Sequence, residues 1–185
     1  LVDLETQNYP VESGIYEVAC LVIENYEVVD KLYLGKKIEG YKGKTTYGHG
    51  FHNIANDSYY INKFKDFLSK YNYPLVAHNC SFDRKFLAHY KWIDEDYPCY
   101  CSIQAVKKEV PGLPRYNMEN LIKHFNIKNK ANHTAMSDTE CLLELLQIVK
   151  PKTWKIMGSS RKKTGNKGLY FEINLAEHLN EESKK

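Results

Sequence analysis

At 185 residues the chain has room for one domain with a hydrophobic core and too little for two ordinary ones. With 43% hydrophobic residues its composition is globular, and no apolar run reaches bilayer-spanning length, which argues against a membrane partner. The formal net charge of +3 comes from the tail: residues 151–185 hold eight Lys/Arg against four Asp/Glu, leaving eighteen against nineteen in residues 1–150. A near-neutral body with a basic tail suits a polyanion. Five cysteines (Cys20, Cys80, Cys99, Cys101, Cys141) form an odd set without framework spacing, which predicts reduced thiols and a cytoplasmic setting. Neither Cys99-x-Cys101 nor His49-x-x-His52 has the second pair a structural zinc site needs.

Leu1 to Thr6 opens the chain as a strand, with Val2 and Leu4 on one face and Asp3 and Glu5 on the other. Without an initiator methionine or a basic-then-apolar leader, we take this as the trimmed start of a chain that is not exported. Gln7 to Ser13 is a polar loop. Ile15 to Ile23 and Glu27 to Leu34 are β-branched apolar runs joined by Asn25-Tyr26, so three strands should form an antiparallel meander. Residues 35–50, rich in glycine and lysine, read as a mobile loop. Its Gly43-Lys44-Thr45 does not directly follow a strand, so this loop is no phosphate cradle.

Asp57-Ser58 can cap a helix to Tyr71, with Ile61, Phe64, Phe67 and Leu68 on one face. Leu75-Val76-Ala77 is a short buried strand, and a turn at Asn79 to Ser81 leads into a helix from Phe82 to Tyr90. This strand–helix order implies a parallel element joined to the meander. Further helices are predicted over Ser102 to Val110, from Asn117 through Phe125, and from a Ser137 cap to Val149. We divide the chain into a domain of residues 1–150 and a basic tail of residues 151–185. The tail holds a flexible link from Gly158 to Gly165 and one small element over Leu169 to Leu179.

Two carboxylates on one strand face repel unless protonated or bridged by cations, so Asp3 and Glu5 suggest a hard-metal site needing more oxygen ligands. Asp83, just past the strand at Val76-Ala77, is placed to reach a site at that strand's carboxyl end. His133 ends a loop, and Asp138 falls in the first turn of the last helix.

Three spaced motifs thus stand in order: Asp3-x-Glu5-Thr6, His78-Asn79-x-x-Phe82-Asp83 and His133-x-Ala135-x-x-Asp138. The pattern resembles the DEDD exonuclease superfamily, in its DnaQ-like branch with histidine five residues before the last aspartate (DEDDh). The sister branch has tyrosine four residues before it, where this chain has Thr134. Cys99 to Ala105 and Tyr116 to Leu121 look like the family's strand and the helix before its histidine loop, with Met118 where leucine is usual. Within the branch the chain looks most like the proofreading (epsilon) subunits of bacterial DNA polymerase III and their stand-alone relatives. His52-Asn53-Ile54 is similar to that subgroup's His-Gly-Ile stretch, with Asn in place of Gly.

The resemblance implies an α/β, RNase H-like fold with a mixed sheet of about five strands flanked by helices. It also implies two divalent ions, Mg²⁺ or Mn²⁺, held by Asp3, Glu5, Asp83 and Asp138. Asp3 would bridge both, Glu5 and Asp138 would complete the ion carrying the nucleophilic water, and Asp83 would hold the second. His133 would take the proton from that water, a task suited to an imidazole near its ordinary pKa of roughly 6.5. Thr6, Gln7, Asn53, Ile54 and Phe82 lie where the family grips the terminal nucleotide. The expected function is 3′→5′ removal of nucleoside 5′-monophosphates from single-stranded DNA in proofreading or repair, with a DNA polymerase subunit as a further partner. The alternatives are an exoribonuclease of the RNase T or oligoribonuclease kind, and a non-catalytic nucleic-acid-binding or polymerase-docking module.

Overall fold

Alternation of side chains along the strands builds the molecule in three layers. The computed structural model describes residues 1–157 and 174–180. The link expected over residues 158–165, and residues 169–173 of the expected closing element, lie outside the described residues. Strand β1 (Val2–Glu5) pairs antiparallel with β2 (Glu17–Glu24), which pairs antiparallel with β3 (Glu27–Gly35). The β2–β3 turn places Asn25 and Tyr26 at φ of 53° and 59°, the double left-handed geometry that matches a tight hairpin to strand twist.

A second sheet pairs β4 (Leu75–Ala77) in parallel with β5 (Cys99–Cys101), and β5 antiparallel with β6 (Ile156–Met157). β4 packs beside β1. The expected mixed sheet is therefore present as two three-stranded sheets. The extra strand, β6, comes from the stretch assigned to the tail; two residues are too short to show an alternation.

Helices α1 (Ser58–Tyr71) and α2 (Cys80–His89) cover one face, where Val2, Leu4, Val18 and Cys20 meet Phe64, Phe86 and Leu87. Helices α3 (Ser102–Glu109), α4 (Met118–Phe125) and α5 (Ala135–Val149) cover the other. There, Leu21, Ile23 and Val76 meet Val106, Leu121, Leu142 and Leu145. A short helix α6 (Leu175–Leu179) adds Leu175 and Leu179 to that second cluster. Among the described residues no helix is long and apolar enough to cross a membrane.

Three expectations change. Asp57 caps α1 as predicted, accepting from the Tyr59 N–H at 3.0 Å, but α5 starts at Ala135 with Thr134, not Ser137, at the cap position. Ser137 lies inside the first turn and donates to the Thr134 carbonyl at 3.0 Å. Helix α2 begins two residues before Phe82, with Asn79 at φ 66° at its cap. The cysteines are not all thiols: Cys80 and Cys99 form a disulfide, while Cys20, Cys101 and Cys141 are free and buried. Helix α2 crosses back from β4 to β5, which brings the two Cα atoms within 6.5 Å, a proximity that linear spacing does not display.

Trp92 is fully buried, edge-on to Phe64 at 5.4 Å between ring centroids, and its indole N–H donates to the Ala55 carbonyl at 2.9 Å. Trp92→Ala should destabilise the fold by about 3–5 kcal/mol, read as a lower urea midpoint. An unchanged midpoint would mean this face is not packed as described.

Candidate active site

Because Val2 and Leu4 point toward α1 and α2, Asp3 and Glu5 project toward the layer that contains α5. Asp138 sits in the first turn of α5 and meets them: one ligand oxygen each from Asp3, Glu5 and Asp138 lies within 4.8 Å of the others. Asp83 approaches from α2 and is buried. Its Oδ1 accepts from the Leu4 N–H at 3.2 Å, across the strand that carries the other two carboxylates. All four, with His133, line a cavity of about 400 Å³.

The electrostatics are those of a site short of positive charge. Burial, followed by repulsion from Asp83, Glu5 and Asp138, raises the Asp3 pKa well above the carboxylate range. Burial and then Asp138 push Glu5 up to about 8. Burial takes Asp83 to about 8 despite the Leu4 hydrogen bond. Burial also raises Asp138, with His133 opposing. Oδ2 of Asp3 is buried with no donor aimed at it. A proton shared with Glu5, or a cation, can satisfy it. An all-oxygen set with an unpartnered buried oxygen fits hard divalent cations.

His133 is exposed, at φ 56°, at the cavity mouth. His78, in the same motif as Asp83, has a bracing role. Its Nε2–H donates to the Tyr116 carbonyl at 2.7 Å and its Nδ1 lies 2.8 Å from the Ser102 hydroxyl. Burial lowers its pKa to about 4, so it ties β4 to α3 and the 110–117 loop as a neutral ring.

The five residues expected to grip a nucleotide divide. Thr6, Gln7 and Phe82 line the cavity, although the Thr6 hydroxyl is engaged with the Asn8 carbonyl at 3.0 Å. The structure does not bring Asn53 and Ile54 there. The Asn53 Oδ1 accepts from the N–H groups of Ile15 and Ala55 at 3.2 and 3.0 Å, and Ile54 is 1% exposed in the core. Two residues that sequence reasoning did not single out, Tyr9 and Tyr47, line the cavity as well. Tyr9, 79% exposed, meets Phe82 edge-on at 6.3 Å, and Tyr47 stacks on His133. Burial and the charges of Glu5 and Asp138 raise the Tyr47 hydroxyl pKa.

Glu17 is a fifth carboxylate beside the site, and it is buried. It faces Glu5 in the β1–β2 register, accepts from the Tyr33 hydroxyl at 2.7 Å, and leaves Oε2 unpartnered. Burial raises its pKa against the lowering effect of that hydrogen bond. A charged residue at the head of an apolar strand was the available signal for it.

A family model described as the exonuclease family of RNase T matches residues 51–146. That span holds Asp83, His133 and Asp138, while Asp3 and Glu5 precede it. No curated protein sequence matches the chain. A solved structure, "Exonuclease X in complex with 5′ overhanging duplex DNA", aligns with a TM-score of 0.52 and 19% identity. The alignment covers 80% of this chain and 88% of that one, a likeness of fold that identifies the three-layer architecture as RNase H-like. With just over half of its length matched by that model, the chain belongs to the exonuclease family, of the DEDDh type, nucleases that act on nucleic acid.

Proposed function

We propose that the chain is a metal-dependent 3′→5′ exonuclease that removes nucleoside 5′-monophosphates from single-stranded DNA. The observation that carries this is the meeting of Asp3, Glu5 and Asp138, with an unpartnered buried oxygen on Asp3, in a cavity shared with Asp83 and His133. Asp3, Glu5 and Asp138 would hold one divalent ion, and Asp3 with Asp83 a second. That Asp83 stands apart from the three-carboxylate group, held by the Leu4 N–H, supports this division. Bound Mg²⁺ or Mn²⁺ would supply charge neutralisation at the phosphorane and acidify a water.

The chain's own groups do the rest. His133, exposed beside Asp138, takes the proton from the attacking water, and the Asp138 carboxylate stabilises the imidazolium that forms. Phe82 and Tyr9 offer aromatic surface at the cavity wall, the kind of surface on which single-stranded bases stack. DNA is favoured because the structurally similar Exonuclease X is seen with DNA. A polymerase partner and a proofreading setting follow from the motif resemblance to the polymerase III subunit. We assign the exonuclease domain to residues 1–150, which carry every proposed site residue, and treat residues 151–185 as a basic tail whose β6 and α6 dock on that domain.

Incubation with Mn²⁺ and 5′-labelled single-stranded DNA should give a ladder that shortens from the 3′ end. Absence of cleavage of DNA and RNA with either metal sinks the proposal. Matched RNA oligonucleotides cleaved faster than DNA would move it to an exoribonuclease.

A pH dependence follows from the carboxylates. Glu5 and Asp83 have ordinary values of 4.5 and 3.8 and folded values of about 8. Between these limits the metal-free folded state holds more protons than the unfolded chain, so these groups make stability fall as pH rises. His78 acts the opposite way between about pH 4 and 6.5. A Glu5→Gln, Asp83→Asn double variant isolates the carboxylate part. Metal-free wild type should lose more stability than this variant from pH 6.5 to 8, and Mn²⁺ should restore wild type alone. Equal slopes in thermal melts of the two proteins would contradict the clustered site.

A further inference from the structure

We propose that Tyr47 is a positioning residue that sets the imidazole of His133 at the cavity mouth; this rests on His133 being the base. The two rings are stacked, with centroids 4.2 Å apart and planes 21° from parallel. The Tyr47 N–H also donates to the His133 carbonyl at 3.0 Å. One residue therefore grips both the ring and the backbone of the other, across 86 positions of sequence. Both backbones are left-handed, at φ of 52° and 56°, a conformation that non-glycine residues hold only where the surroundings impose it.

The arm that carries Tyr47 is fixed to the body. Residues 35–50 were expected to be a mobile loop, yet their neck is closed by a bridge between Lys37 and Phe51. Two backbone bonds make that bridge, His52 N–H to the Lys36 carbonyl and Ile38 N–H to the Gly50 carbonyl, each 2.8 Å. Phe51 is buried. Next to Tyr47, Gly48 sits at φ 74°, where a Cβ would come within 2.5 Å of the Tyr16 Cβ. That close approach pins the tyrosine relative to β2. His133, by contrast, ends the 126–134 loop and is exposed. An exposed base on a loop has many orientations available, and a fixed aromatic plate under one face removes most of them. Tyr47 is itself 47% exposed, so the stack sits at the surface of the cavity and serves its entrance.

General-base chemistry depends on such placement, because a misplacement of about 1 Å can cost on the order of 10²-fold in rate. Tyr47→Leu removes the plate and keeps the backbone bond, whereas Tyr47→Phe keeps both. The test is steady-state cleavage of a single-stranded DNA oligonucleotide with Mn²⁺, together with proton NMR of the His133 ring signals, assigned by their loss in His133→Gln. We expect Tyr47→Leu to lower kcat by about 10²-fold with KM little changed, and to move the His133 signals as the ring current disappears. Tyr47→Phe should restore both. A Tyr47→Leu enzyme with wild-type kcat, or one whose KM rises while kcat holds, overturns the inference; the second outcome would make Tyr47 a base-stacking platform. A wild-type protein that cleaves nothing defeats instead the exonuclease reading on which the inference stands.

Discussion

Asp3→Ala is expected to bring hydrolysis down by roughly 10⁴-fold or more, as removal of a central member of a cooperating site does. Asp3 is repelled by each of the other three carboxylates, with Asp83, Glu5 and Asp138 all acting on it. Its Oδ2 has no donor in the protein, so its charge is compensated only by a cation or a proton. Without Asp3 neither proposed ion keeps its shared ligand. The same substitution removes a buried like charge, so the metal-free protein should be at least as stable as wild type above neutral pH. Loss of activity together with an unchanged or raised melting temperature supports the assignment. An Asp3→Ala enzyme at near-normal rate removes it.

His133→Ala should cost about 10²–10⁴-fold in kcat, the range of a positioned general base. Metal binding should survive, because His133 is outside the carboxylate group that would hold the ion. KM should move little, since the exposed imidazole at the cavity mouth is asked to accept a proton in the transition state and not to hold the ground-state strand. Mn²⁺ affinity by calorimetry and kcat by oligonucleotide cleavage separate the two roles. A variant that loses metal affinity in parallel with rate would reassign His133 to the metal site.

How far the sequence reaches depends on how local the signal is. Asp3 and Glu5 share a face because strand side chains alternate, and the identity of that face follows from Val2 and Leu4 being apolar. Asp83 and Asp138 are legible as acids in first helical turns. That these elements meet follows from packing α2 and α5 on opposite faces of the sheet, which the motif order implied and periodicity alone did not. Thr134 and Ser137 are both hydroxyls able to cap, and only the backbone geometry of the loop decides between them. The Cys80–Cys99 pairing, and the use of Asn53 to hold the backbone of Ile15 and Ala55, are contacts set by tertiary folding. Tyr47 is the extreme case. It lies in a loop with no periodicity, and its partner is supplied by a different loop near the far end of the domain.

The central claim is that four carboxylates from β1, α2 and α5 assemble a divalent-cation site. Crystals soaked in Mn²⁺ and measured for anomalous scattering test it most directly. We predict two peaks in the cavity, both touching Asp3, one also held by Glu5 and Asp138 and the other by Asp83. No peak among these carboxylates, in crystals where Mn²⁺ is bound elsewhere, would contradict it.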